Sequence, residues 1–256
     1  MRFSVISFDD GLTTCFEQTI ELLKKYQLEA TFFIVTNTLN NKALAHEHLS
    51  SLIAHLLKTK YTSQKSISQI ESILSISLTQ NIRSLTKEIR LLPQKNIDEL
   101  CKSIQLDAQD YLDREKPYLT NCQIEKLIEG GFTIGAHSCS HPNFAEISLE
   151  EQIYETIESA KLIQKNFGLK KIPFAFPYLR VPDNPVYFSE IKKTGLISEF
   201  YGQHGLIWDK SLPFIPRISI EAENAELPIN VILKKEKKIQ RKRFVKTLNR
   251  KIKSFI

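Results

Sequence analysis

Two short clusters in this sequence combine the side chains that bind metal and move protons. One is Asp9-Asp10-Gly11; the other is His137 and His141, four residues apart. Two imidazoles and one carboxylate are a common ligand set for catalytic zinc, with a position left open for water. A bound divalent ion lowers the pKa of that water toward neutrality. A second carboxylate alongside can then take the proton. Asp9 and Asp10 supply one carboxylate for each job, because adjacent residues on a turn point in different directions. Each cluster alone has a plainer meaning. Asp-Asp-Gly is an ordinary turn, and an isolated histidine pair is more often surface or core filling. Their joint occurrence, each directly after an apolar strand pattern, favours chemistry. Cys139 lies between the histidines, but a short loop that aims both rings at one ion turns it away. His46, His48 and His55 fall in a helical stretch and read as solvated or packing residues.

The elements that must position these clusters alternate in type. Residues 3–8 are a short apolar run, read as a buried strand that ends in the Asp-Asp-Gly turn. A helix follows over 16–26, and ATFFIV at 30–35 reads as a second buried strand. This order suggests parallel strands joined by crossover helices. The rhythm resumes with a helix over 124–129 that stops at Gly130-Gly131. Next come a strand over 132–136, the HSCSHPNF segment, a long helix over 149–167 and a strand over 174–176. A helix over 186–193 leads to strands near 196–200, 205–208 and 214–220. Strands that alternate with helices argue for a (β/α) barrel or a doubly wound sheet. In both, the loops after the strand C-termini converge on the site. Asp9-Asp10, His137 with His141, and Tyr178 with Arg180 all occupy such loops.

Residues 39–119 break the pattern. They are rich in Leu, Ile, Ser, Gln and Lys, with helical periodicity and no clear strand. Leu49, Leu52, Ile53, Leu56 and Leu57 form one apolar face; Ile97, Leu100, Ile104 and Leu106 form another. This reads as a helical insertion within a barrel of residues 1–38 and 120–230.

Residues 231–256 form a separate basic tail. Eleven Lys and Arg follow position 233 against Glu236 alone, which leaves 24 basic and 28 acidic residues for the rest of the chain. The basic pI therefore describes the tail. Ile239, Phe244, Val245, Leu248, Ile252 and Phe255 recur near helical spacing. A basic amphipathic helix either docks its stripe on the body or lies on an anionic membrane surface. Nothing resembles an aromatic-interleaved RNA-binding motif, so no nucleic acid is expected. No apolar stretch is long enough to span a bilayer. The opening MRFSVISFDDG meets two acids too early for a secretory signal, so the expected location is cytoplasmic, possible membrane contact being at its inner face. Cys15, Cys101, Cys122 and Cys139 form no CxxC pair, and free thiols are expected there.

The two clusters resemble the motifs of the polysaccharide deacetylase, or NodB-homology, family (carbohydrate esterase family four). Ser7-Phe8-Asp9-Asp10-Gly11 is similar to its TFDDG motif, and His137-Ser138-Cys139-Ser140-His141-Pro142 to its HSxxHP motif. The ATFFIV strand is also typical. The resemblance covers about residues 3–36 and 122–220. It implies an α/β fold, a distorted (β/α)7-type barrel, here with a helical insertion and a basic C-terminal helix. It implies hydrolysis of an N-acetyl, less often O-acetyl, group on a sugar. By this resemblance Asp9 is the general base and Asp10, His137 and His141 are the metal ligands. The ion is Zn2+, or another divalent metal such as Co2+ or Ni2+. The metal polarises the acetyl carbonyl, and the Tyr178 backbone N–H serves the oxyanion.

The later motifs depart from the family pattern. The usual RxPY keeps Pro177-Tyr178 but has Ala175 in place of its Arg. Arg180 and Arg217 are the candidates to replace it. The late Leu-x-His motif, whose His is the general acid, has no clear match. His204, the one histidine after His141, is the default candidate. Three readings follow. The first is a metal-dependent sugar deacetylase acting on a nucleotide-linked or lipid-linked precursor of a surface glycan. The second is an amidase on a small non-sugar compound. The third is a catalytically inactive barrel that binds glycan or membrane.

Overall fold

Short apolar runs rich in β-branched and aromatic residues form the strands, as such residues fit a pleated surface covered on both faces. In the computed structural model, the described residues are 6–59, 70–72, 82–178, 181–203, 205, 213–220 and 226–239, with Glu17 and Gln18 described by backbone alone. Six strands form one sheet in the order β1-β2-β3-β4-β5-β6. They are β1 (Ile6–Phe8), β2 (Ala30–Ile34), β3 (Thr133–Ala136), β4 (Ile172–Ala175), β5 (Ile197–Gly202) and β6 (Ile215–Pro216). The β1–β2, β3–β4, β4–β5 and β5–β6 pairs are parallel. Sequential neighbours in a parallel sheet are the arrangement of a (β/α) barrel, and the sheet is its six-stranded half-barrel. The strand expected near 205–208 lies almost wholly outside the described residues, as do residues 240–256 of the basic tail. The helices are α1 (Glu17–Lys25), α2 (His46–Thr59), α3 (Ile82–Arg90), α4 (Gln94–Ser103), α5 (Ala108–Glu115), α6 (Asn121–Glu129), α7 (Leu149–Phe167) and α8 (Pro185–Thr194). Residues 229–239 are also helical. No helix among the described residues is long and apolar enough to cross a membrane.

The chain divides into two units. The first is Met1–Ile134 with Cys139–His141. Its helical segment has its own core of Ile53, Ala54, Leu57, Ile70, Leu85, Ile89, Ile97, Leu100 and Ile104. The two apolar faces read from sequence thus meet in one cluster. Glu47 and Arg90 pair across α2 and α3 at 2.8 Å. The His46 ring donates from Nε2 to the Arg90 carbonyl at 2.9 Å, satisfying one of the last carbonyls of α3.

A second knot fixes the start of α2. The Ala45 N–H donates to the Tyr118 hydroxyl at 3.0 Å. That hydroxyl keeps one hydrogen, which it gives to His48 Nδ1 at 2.9 Å. His48 Nε2–H then donates to the Tyr111 hydroxyl at 3.2 Å. Burial lowers the pKa of His48 and pushes that of Tyr118 up to about 12, so a neutral ring and a neutral phenol suit this chain of bonds. The residues around Tyr118 also clamp the turn after β1. Leu119 N–H donates to the Gly11 carbonyl at 2.8 Å, and Thr13 N–H to the Pro117 carbonyl at 2.9 Å.

The second unit is Gly135–Ser138 with Pro142–Ile256. α7 opens on a capping box between Ser148 and Glu151 and closes on Gly168 at φ 68°, a conformation that glycine adopts without penalty. Phe144, Phe174, Phe176, Tyr187, Phe188 and Phe200 form one aromatic cluster. Phe176 stacks on Phe200 at 5.4 Å between centroids, and Tyr187 meets Phe188 edge-on. The buried Tyr187 hydroxyl lies 2.6 Å from that of Thr156, so this phenol has its partner.

Leu85→Ala is expected to cost about 2–5 kcal/mol, the range for removing a fully buried leucine, measured as a shift in the urea midpoint. The Tyr118 phenol gives a pH signature. An unfolded tyrosine ionises near pH 10, whereas the folded group does so near 12. Stability from this group is whole below pH 10 and falls as pH rises to 12, since only the unfolded chain gains from ionisation. Denaturation series across that window are expected to show a shallower fall for Tyr118→Phe, with the remainder carried by Tyr187 and Tyr201, whose pKa values are also raised.

Candidate metal centre

The site is built on turns that ordinary residues resist. Directly after β1, Asp10 takes φ 72° and Gly11 takes φ 72°. Asp accepts the left-handed region better than most residues, and glycine meets no Cβ penalty there. A Cβ at Gly11 would also come within 3.3 Å of the Ile34 side chain. After β3, Ser138 has φ 67° and His141 φ 62°; Tyr178, three residues past β4, has φ 56°. Such conformations cost on the order of 1–3 kcal/mol each and cluster where function over-determines the backbone.

The clusters read from the sequence converge. One ligand atom from each of Asp10, His137 and His141 lies within 4.8 Å of the others. His137 is 1% exposed, and its Nδ1–H donates to the Ala175 carbonyl at 2.8 Å. A carbonyl only accepts, so this bond fixes the tautomer and leaves the lone pair on Nε2.

His141 is flanked by two carboxylates. Its Nε2 is 3.3 Å from Asp10 Oδ1, and its Nδ1 is 3.2 Å from Glu47 Oε2. A neutral imidazole has one N–H to donate. If Nδ1–H serves Glu47, then Nε2 and Asp10 face each other with lone pairs. Only a positive charge makes that approach favourable, either a proton on His141 or a cation held between the groups. A carboxylate and two imidazoles in this arrangement fit a divalent ion with N and O preference. The donor set, and the ring orientations set by Ala175 and Glu47, therefore match a metal centre.

The other residues singled out in the sequence are placed less completely. Asp9 is half-buried and immediately precedes Asp10. Tyr178 is half-buried on its left-handed turn. Arg217 directly follows β6; its N–H donates to the Gly202 carbonyl at 2.7 Å and its carbonyl accepts from Gly205 N–H at 3.0 Å. Its charge acts on Tyr201, opposing the rise of that phenol's pKa. Arg180 and His204 lie outside the described residues. Cys139 is buried, its carbonyl accepting from Asn37 N–H at 2.9 Å, and it is not part of the ligand group. His48 packs in the tyrosine knot and His55 is exposed, as packing and solvated residues.

Glu47 was not visible as a site residue in the sequence. It lies in a helical stretch, ninety-four residues before His141, and no motif joins the two. Its position at the first turn of α2, closely following the strand-end loop after β2, is the one local cue.

A family model also matches the chain. The family model described as polysaccharide deacetylase matches residues 2–74 and 91–196, extending into the helical segment. No curated protein matches the chain. Similar solved structures include a Streptococcus pyogenes deacetylase, PplD, in complex with acetate, at 15% identity and TM-score 0.48, covering 86% of this chain and 66% of that one. A de-N-acetylase from Aggregatibacter actinomycetemcomitans is 18% identical with TM-score 0.48, covering 90% and 74%. The Bacillus subtilis peptidoglycan deacetylase PdaC is 15% identical with TM-score 0.37, covering 96% of each chain. The chain thus spans just under two thirds of the length of the first of these. With the family model matched over well over half of its residues, the chain belongs to the polysaccharide deacetylase family.

Proposed function

We propose that this protein is a zinc-dependent hydrolase that removes an N-acetyl group from a sugar in a surface-glycan or lipid-linked precursor. The observation that carries this reading is the convergence of Asp10, His137 and His141 within 4.8 Å in a chain of this family. Asp10 and the two rings would hold the ion, which when bound would supply Lewis-acid polarisation of the acetyl carbonyl and make water at the site more acidic. Zn2+ suits this mixed N and O set; Co2+ or Ni2+ would fit the same donors.

In this reading Asp9 takes the proton from the attacking water as the new C–O bond forms. The Tyr178 backbone N–H donates to the oxygen on which negative charge develops. The C–N bond then breaks, the amine leaves with a proton from His204, and acetate remains. Arg217 or Arg180 steadies the Asp9 carboxylate in place of the arginine that Ala175 replaces. The reading sets the enzyme in the cytoplasm. There the basic tail would hold the enzyme against anionic lipid that carries the substrate.

The test is acetate release across a panel of acetylated sugar nucleotides and lipid-linked saccharides, paired with elemental analysis. Asp10→Ala and His137→Ala are expected to lose metal and turnover together. Asp9→Asn is expected to retain metal while turnover falls about 10²–10⁴-fold, the usual span for a general base. Undiminished turnover by the metal-free protein would contradict the mechanism.

A further inference from the structure

We infer that Glu47 is a positioning residue of the metal centre, setting the ring of His141 from the first turn of α2; this rests on the metal-binding reading above. The carboxylate has two oxygens and two partners. Oε1 accepts from Arg90 Nη1 at 2.8 Å, and Oε2 lies 3.2 Å from His141 Nδ1. When a cation takes the Nε2 lone pair beside Asp10 Oδ1, 3.3 Å away, the one hydrogen of the neutral ring sits on Nδ1, where the Glu47 carboxylate accepts it. The bond therefore selects both tautomer and ring orientation. It also makes the ring a better donor, since a negative partner on Nδ1–H raises the basicity of Nε2.

The carboxylate is itself held. Arg90 ends α3, and its carbonyl accepts from His46 Nε2 at 2.9 Å. His46 and Glu47 thus grip the same residue from adjacent positions. Both side chains of the Glu47–Arg90 pair are about one-third exposed, so the ion pair alone adds little stability. What it contributes is direction: a fixed guanidinium prevents Glu47 from swinging away from His141. His137 receives the equivalent service from a backbone carbonyl, that of Ala175 at 2.8 Å. One ligand ring is oriented by the sheet and the other by the helical segment.

The full-length protein, stripped of metal with a chelator, would be titrated with Zn2+ against a chromophoric competitor. Glu47→Ala is expected to weaken zinc binding about 10–100-fold, the usual cost of losing a group that orients a ligand histidine. Glu47→Gln is expected to fall between this variant and the wild type, because its amide oxygen still accepts from Nδ1–H without the charge. This isosteric variant decides the matter should the alanine variant fail to fold. Arg90→Met breaks the tie between α2 and α3 but leaves the carboxylate, and should retain more zinc affinity than Glu47→Ala. A Glu47 that served only to join helices would make Glu47→Gln and Arg90→Met lose stability alike while zinc affinity stayed at the wild-type value. That result, with binding still abolished in His141→Ala, overturns the role of Glu47 and leaves the metal centre standing. Equal zinc binding by the wild type and His141→Ala would overturn both.

Discussion

Lone pairs repel, and this site brings three donor groups together. Asp10 and the rings of His137 and His141 offer atoms within 4.8 Å of one another, an arrangement that a folded chain abandons unless positive charge enters or the backbone prevents escape. Here the backbone does much of the work. Asp10, Ser138 and His141 all sit in the left-handed region, where each costs about 1–3 kcal/mol. That strain is borne by the strands on which the turns are mounted and by contacts such as that from Leu119 N–H to the Gly11 carbonyl at 2.8 Å. A divalent ion would meet donors already in place and need not organise them.

The orientation of the rings is a separate problem from their position. An imidazole can rotate and exchange tautomers, and a metal needs one definite nitrogen. The two histidines meet this need by unlike means. His137 is buried and donates to a main-chain carbonyl, a partner that cannot move without distorting β4. His141 looks to a side chain, Glu47, which must itself be restrained by Arg90. The restraint of a main-chain oxygen is inherited from the sheet, whereas that of a side chain has to be supplied by further packing. The core of α2, α3 and α4 provides it, with Leu85, Ile89 and Leu100 fully buried.

The six described strands, the long helix α7 and the two loops that carry Asp10 and the histidines were legible in the sequence because their signals are local. Apolar runs, capping residues such as Ser148, and stop glycines such as Gly168 act within a few positions. Convergence of Asp10 with two distant histidines followed from the rule that loops after parallel strands gather at one end. Glu47 had no such rule behind it. Its role depends on how α2 packs, and helix packing is decided by tertiary contacts that leave no fixed spacing in the chain. His48 was legible as a packing residue, but its bonds to Tyr111 and Tyr118 join positions 63 and 70 residues apart.

The departure at Ala175 has a physical logic of its own. β4 is wholly buried along Ile172–Ala175, and Phe174 and Phe176 lie in the aromatic cluster. A guanidinium among such neighbours would need partners to offset the cost of burying its charge. Alanine removes that demand, and it costs the metal ligands nothing, since His137 uses only the carbonyl of residue 175. In the proposed mechanism the consequence falls on Asp9 instead. A base beside a cation-binding centre benefits from a second positive neighbour that holds its carboxylate in line, and the third motif no longer carries one. Arg217, directly after β6 and half-buried, is the described arginine that the proposed mechanism offers for that duty. The ligand half of the candidate site therefore keeps the residue types of the family motifs, while the proposed proton-handling half draws on an arginine from another strand end.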